Sequence, residues 1–242
     1  MSASDIPSIP QVTTGTYNFH PSLGEVVLNA FARIGVRRTE ILQSHMADAR
    51  TEANLLLARL SDTQPNLWTV DLQSVPLIQG TATYTVPAET AMILDVYLRY
   101  GSPFVDRAMY PISRSEYSTY PNKNLQAFPN VFWFDRLISP TITIWPVPDQ
   151  TLFYTLYYYR VRQIQDADYS DGTNALTVEI PYLWLDAFVA GLAHRLARIY
   201  APDKEQMRKA DADDAWNLAM KQDEENVNVF MNPGLNHYFR IF

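Results

Sequence analysis

Cysteine is absent from this chain of 242 residues, which removes disulfide frameworks, thiol nucleophiles and every cysteine-ligated zinc or iron-sulfur site. Glycine is scarce: of the eight, at 15, 24, 35, 80, 101, 172, 191 and 234, the closest pair stands nine positions apart. Motifs that need two glycines within about six residues are thereby excluded, among them the phosphate-binding P-loop, the dinucleotide fingerprint and the nucleophile elbow. Positive charge is in the minority, 19 Lys and Arg against 26 Asp and Glu, for a formal charge of -7. Tight nucleic-acid binding is driven by phosphate neutralisation and needs the opposite balance. No run of about eighteen apolar residues occurs, and the first positive side chain is Arg33. Neither a membrane span nor the charged start of a secretory signal is therefore expected.

What the chain does hold is an ordinary globular share of apolar residues, 47%, and 13% aromatics, with 15 Tyr, 11 Phe and 16 Pro. At this length folding removes about 70% of the unfolded surface from water, so a stable core is expected and disorder over most of the chain is excluded. The aromatic surplus points to short strands and to contact surfaces.

Residues 1–20, MSASDIPSIPQVTTGTYNFH, lack helical periodicity and are rich in Ser, Thr and Pro, as expected of an arm that orders against another surface. After Pro21, the residues Leu23, Val26, Val27, Ala30, Phe31 and Ile34 recur at the spacing of one helix face, and Gly35 supplies a stop. Thr39 is placed to cap a second helix carrying Leu42, Met46, Ala49, Ala53, Leu56, Leu57 and Leu60 and ending near Asp62. The two predict an antiparallel helical hairpin. From Gln64 the period falls to two: Ala82, Tyr84 and Val86 alternate with Thr81, Thr83 and Thr85, and Met92, Leu94, Val96 and Leu98 with Asp95, Tyr97 and Arg99. Further strands are expected at 131–136, 141–145 and 152–161, with 113–129 as a long loop or short helix.

Helical spacing returns at Pro181, with Leu183, Trp184, Ala187, Phe188, Gly191, Leu192, Leu196 and Ile199 on one broad face. Pro202 and Asp203 open a fourth helix reaching about Glu225. Its eight acidic side chains outnumber four basic ones, and its apolar stripe, Met207, Ala210, Ala215, Leu218 and Ala219, is thin. The predicted fold class is α+β: an antiparallel helical bundle (21–63 and 181–225) bearing an inserted antiparallel β domain (64–180), with an N-terminal arm (1–20) and a C-terminal docking arm (226–242).

Few groups suggest chemistry. The four histidines, His20, His45, His194 and His237, are isolated, and none forms the two-histidine helix spacing of zinc proteases; His194 reads as a hydrogen-bonded structural residue. The loop Asp166-Ala-Asp168-Tyr-Ser-Asp171-Gly172 resembles a calcium loop until it is counted: with Gly172 sixth, Ala167 and Tyr169 take the first ligand positions and Val178 the twelfth. Asp211, Asp213 and Asp214 read as a charged helix face rather than as acid/base catalysts. No catalytic, cofactor-binding or metal-binding residue is assigned, and no cofactor is expected. The aromatics Phe153, Tyr154, Tyr157, Tyr158 and Tyr159 fit a strand covered on both sides, by core and by a neighbouring subunit; a sugar groove or a base-stacking platform are the other readings. Phe230, Met231, Leu235, Tyr238, Phe239, Ile241 and Phe242 would each gain about 1.5 to 3 kcal/mol on full burial, so the C-terminal segment reads as a docking arm, with packing on its own domain as the alternative.

Taken in order, RIGV (33–36), LWTV (67–70), GTATYTVP (80–87), ISRSEYSTYPNK (112–123), WPVPD (145–149), YYYRVRQIQDADYSDG (157–172) and IPYLWLDAFVAGLAHRLARIYAP (180–202) make a series that resembles the head-to-tail adaptor, or tail tubular A-like connector, proteins of short-tailed bacteriophages. The resemblance implies a structural virion protein and no enzyme. It implies a helical bundle with an inserted β domain, assembled in the host cytoplasm as a dodecameric ring at the head-tail junction. The implied partners are the portal protein, the tail nozzle protein and double-stranded DNA passing through the lumen without tight binding, and no membrane. The C-terminal segment is then the part that meets the portal. A lumen should repel DNA rather than hold it, so Asp211, Asp213 and Asp214 are expected to face it. Arg37, Arg38, Tyr157 and Tyr159 are expected at subunit contacts, the arginine corner alternatively at the portal. A glycan-binding or glycan-cleaving tail component and a tail-tube or terminator ring protein are the alternatives.

Overall fold

The computed structural model describes residues 19–63, 67–170 and 176–222. The described residues divide into two compact units, 19–63 with 163–170 and 176–216, and 67–162 with 217–222. The molecule is mixed helix and sheet, as its sequence predicts.

In the first unit, α1 (Leu23–Ile34) starts at a capping box in which the Ser22 hydroxyl accepts from the Glu25 N–H and the Glu25 carboxylate accepts from the Ser22 N–H. All six residues of its predicted apolar face are buried. It stops at Gly35, whose left-handed φ of 89° frees the next N–H to reach back to the Phe31 carbonyl. The Lys204 ammonium donates to the Ile34 carbonyl at this stop (2.8 Å), satisfying one of the helix's last acceptors. The second helix, α2 (Gln43–Thr63), is not capped by Thr39. Residues Arg38–Glu40 form a separate 3-10 turn, Ile41 is extended, and the Leu42 N–H is accepted by His45 Nδ1 (3.0 Å).

Further along the described residues are a short α3 (Arg114–Thr119) in the second unit, α4 (Leu185–Tyr200) and α5 (Glu205–Gln222), with 3-10 turns at Leu67–Thr69, Tyr182–Trp184 and Pro202–Lys204. In the first unit α4 is the central element. It is buried around most of its circumference, from Leu185, Ala187, Phe188, Val189 and Ala190 to Leu196 and Ala197, because α1 and α2 both pack on it. Gly191 permits that approach: a Cβ there would lie 3.1 Å from Leu56 Cδ2. On α5 the buried positions are Ala212 and Ala219, with half-buried Trp216 set edge-on to Trp184 at 5.3 Å between ring centroids. Met207 and Leu218, predicted in the apolar stripe, are exposed.

The strands among the described residues are, in chain order, β1 (Val70–Pro76), β2 (Thr83–Thr85), β3 (Thr90–Tyr100), β4 (Val105–Ala108), β5 (Tyr110–Pro111), β6 (Val131–Asp135), β7 (Thr141–Trp145), β8 (Tyr154–Arg162), β9 (Tyr169–Ser170) and β10 (Leu176–Thr177). One antiparallel sheet has the order β1-β8-β3-β4, a second the order β2-β7-β6-β5, and β9 and β10 pair by themselves in the first unit. Among the described strands the β5–β6 pairing is parallel and the others are antiparallel. The two four-stranded sheets of the second unit share one core, in which Leu98, Leu156 and Tyr158 of the first sheet meet Tyr84, Phe132, Ile142 and Ile144 of the second. Strand β3 carries a bulge: Ile93 pairs with Arg160 but Val96 with Tyr158, so one extra residue enters β3. The alternation reverses there. Ile93 packs on the core, and Leu94, predicted inward, is exposed.

Candidate assembly surfaces

The tyrosine-rich strand β8 has two unlike faces. Tyr154, Leu156, Tyr158 and Arg160 alternate into the interior, while Thr155, Tyr157 and Tyr159 stand on the other side. The period of two sets this division, so the single chain covers one face and leaves Tyr159 40% exposed. Register builds the open face. Tyr97 of β3 lies opposite Tyr157, and their rings stack 5.1 Å apart at an interplanar angle of 4°. Arg99, two residues on, holds its guanidinium 4.7 Å from the Tyr157 ring centroid and donates two 2.7 Å bonds to the Asp106 carboxylate on β4. That paired donation holds Asp106 below the usual carboxylate range and places a fixed cation over an aromatic face. Exposed Leu72 sits across from Tyr159 on β1. The result is a flat aromatic surface with one pinned ion pair, the composition found at protein contacts. Tyr97, Arg99 and Asp106 were not singled out from the sequence. The alternation already set Tyr97 and Arg99 opposite the apolar residues of their strand, and only the cross-strand register was missing.

Beneath this sheet, Arg160 is buried, 4% exposed, and fully engaged. It donates to Asp71 Oδ1 and Oδ2 (2.7 and 3.1 Å), to Glu89 (3.1 Å) and to the Thr90 hydroxyl (3.0 Å). Burial pushes the Asp71 carboxyl up, and the bonds from Arg160 and Gln73 outweigh it and hold the group below its ordinary value. The Glu89 carboxyl is lowered as well, first by its own backbone N–H, against some burial, and then by Arg160.

Several phenols are shifted the other way. Burial, with Asp149 accepting from one and Asp48 from the other, pushes Tyr154 and Tyr200 each up to about 12, and burial also raises Tyr84 and Tyr158. A group whose pKa is raised by folding contributes stability below its unfolded value, near 10, and that contribution is lost as pH rises through the folded value. A spectrophotometric titration at 295 nm is therefore expected to show a set of tyrosinates that appears only above pH 10, together with loss of ellipticity. A single transition at pH 10 with the fold intact would contradict this.

The three aspartates of α5 do not share one face. Helical geometry sets Asp211 and Asp214 about 60° apart and turns Asp213 well away from both. Asp211 and Asp214 are exposed, and Arg208 pairs with Asp211 at 3.0 Å. Asp213, exposed as well, lines a small cleft between α2, α4 and α5 together with Arg59, His194, Arg195, Arg198 and Lys209. There His194 Nε2 lies 3.4 Å from Glu205 and Arg195 donates to Glu52 at 2.9 Å. At the end of α1 the Arg37 and Arg38 side chains are exposed, with the Arg37 N–H bonded to Glu40. In the acidic loop Asp168 is ion-paired with Arg50, and the Ala167 N–H donates to Asn54 Oδ1 (2.7 Å). Among the described residues no group of three or more His, Asp or Glu is placed to hold a metal ion, and no helix is long and apolar enough to cross a membrane. The seven apolar residues of the C-terminal arm, Phe230 to Phe242, lie outside the described residues, as do residues 1–18.

The profile of the SU10 adaptor protein family matches residues 22–234, a span that contains every element described above. No curated protein matches the chain.

Proposed function

Because the chain belongs to the SU10 adaptor protein family, whose members are structural phage adaptors of the virion, we propose that it forms a ring between the portal and the tail nozzle. The ring completes the head after packaging and gives the genome a channel; in keeping with the sequence resemblance, it is dodecameric and assembles in the host cytoplasm. The observation that carries this reading is the outward face of β8 and β3. A flat aromatic surface around Tyr97, Tyr157 and Tyr159, with Arg99 already tied to Asp106, suits a neighbour of the same kind, and Tyr and Arg are the residues on which interface energy concentrates. In the ring, Tyr157 and Tyr159 meet the next subunit, the Arg37-Arg38 corner lies at a subunit or portal contact, and the C-terminal residues 226–242 dock on the portal. The side of α5 that carries Asp211 and Asp214 faces the lumen, where like charge lets the duplex slide rather than adhere, and Asp213, turned toward the cleft, has no part in it.

Native mass measurement of the free protein and of its mixture with portal rings tests the assembly. Deleting residues 226–242 is expected to leave a folded protein by circular dichroism that fails to attach to the portal. Tyr157→Asp, on the exposed face of the sheet, is expected to leave the fold intact and to abolish ring closure by putting a charge into the desolvated contact. Normal attachment of the truncated chain removes the docking role of the arm, and normal rings from Tyr157→Asp remove the sheet contact.

A further inference from the structure

An apolar groove of about 720 Å³ runs along α1 in the first unit. Pro21, Glu25, Leu28, Asn29 and Ala32 form one wall, at the spacing of a single helix face, and Tyr182, Leu183, Asp186 and Val189 form the other. Its aromatic rims are Phe19 and Tyr182, exposed by 64% and 68%, and Leu183 beside them is 56% exposed. Arg38 lines the groove at the far end of α1, and the Arg33–Asp186 pair (2.6 Å) ties the two walls together. From Pro21 to Ala32 the helix is about 17 Å long.

We propose that this groove binds the chain's own segment Ile6–Val12, docked as a left-handed polyproline helix. The segment reads Ile6-Pro7-Ser8-Ile9-Pro10-Gln11-Val12, a repeat of three. A polyproline helix has three residues per turn, so Ile6, Ile9 and Val12 fall on one edge, Pro7 and Pro10 on the next, and the polar Ser8 and Gln11 on the third. Each proline fixes its own φ and restricts the isoleucine before it to extended backbone, so the shape is largely set before binding and little chain entropy is lost. At about 3.1 Å per residue, Ile6 to Val12 spans about 19 Å, the length of the groove. Aromatic-rimmed grooves that take such segments are a recurring recognition mode. The described chain begins at Phe19, on the rim itself. Thr13–Asn18, six residues with Gly15 among them, are long enough for the chain to turn back on α1, and docking in that direction sets Val12 near the start of α1 and Ile6 near its end. That direction brings Asp5, the one charged side chain of residues 1–18, to Arg38. Such a short tether gives the segment a high effective concentration at the groove of its own chain. The inference concerns the free chain and stands apart from the ring reading.

The absence of cysteine gives a clean test. A chain carrying Ile6→Cys with Ala32→Cys, an exposed residue of the groove wall, is expected to oxidise to a cross-linked species of monomer mass. In parallel, a fluorescent peptide of residues 3–14 is expected to bind a chain lacking residues 1–18 about tenfold or more tightly than the full chain, whose groove is occupied. Leu183→Asp in the truncated chain should abolish that binding while helix content by circular dichroism is unchanged. Equal or absent peptide binding to the two chains overturns the proposal. So does a cross-link that joins two chains, which would assign the groove to the arm of a second copy.

Discussion

Arg160→Ala is expected to lower the stability of the β unit by about 3 kcal/mol, the lower end of what removing one partner from a buried ion pair costs. The lower end applies because Asp71 is a third exposed and Glu89 half exposed, so water recovers part of the solvation each carboxylate lost, and Glu89 contributes little on its own. The wild-type contribution has a defined pH range. Both carboxyls lie below their ordinary values of 3.8 and 4.5 in the folded state, so their pairing stabilises the fold above those values and is lost as pH falls through the lowered ones. Urea midpoints of wild type and variant should therefore differ at pH 7 and converge toward pH 3. A difference that survives at pH 3 unchanged would mean that the arginine acts through packing of its aliphatic stem rather than through charge.

The second large effect is expected from Phe31→Ala. This ring is fully buried at the centre of the helical unit, with the His45 and Tyr200 rings 5.9 and 5.7 Å away. Truncating a buried phenylalanine to alanine costs about 3–5 kcal/mol, from lost transfer free energy and the cavity left behind. His45 also accepts the Leu42 N–H at the start of α2, so a loosened ring pocket frays a helix end as well. Phe31→Leu, which keeps most of the volume, should cost less than about 1.5 kcal/mol. Calorimetry gives the magnitudes, and hydrogen exchange gives the location: protection should fall in α1, α2 and α4 while β7 and β8 keep theirs. A loss below about 1 kcal/mol for the alanine variant would show that the site collapses around the gap.

Much of the helical unit was legible because periodicity and burial report the same thing there. Every residue predicted on the inner face of α1 is buried, and Gly35 stops the helix where its position suggests. Thr39 failed as a cap because capping depends on backbone geometry around the residue, and an extended Ile41 separates it from the helix. Leu183 fits a helix face on paper but lies in a 3-10 turn, whose three residues per turn shift its phase and leave it in water. In the β unit the alternation found Tyr84, Val96 and Leu98, all buried. It misplaced Leu94, because a bulge is decided by pairing with another strand. The same limit applies to the aromatic surface: Tyr157 and Tyr159 were recognisable as contact residues, but their strand looked covered on both sides, and which residues join them depends on the register of β3 and β4 on β8. On α5 the short stripe of alanines gave too weak a pattern to fix which side is buried.

The register of β1 on β8 has a mechanical consequence. The chain enters the first sheet at Val70 and leaves it at Arg162, and Val70 lies directly across from Val161. A tension that draws these two points apart therefore loads a single rung first and peels the seven paired positions one after another, instead of shearing them all at once. Antiparallel strands pulled from the same end open at low force. A load that reaches this unit through its two chain ends is therefore resisted by one rung of the sheet at a time.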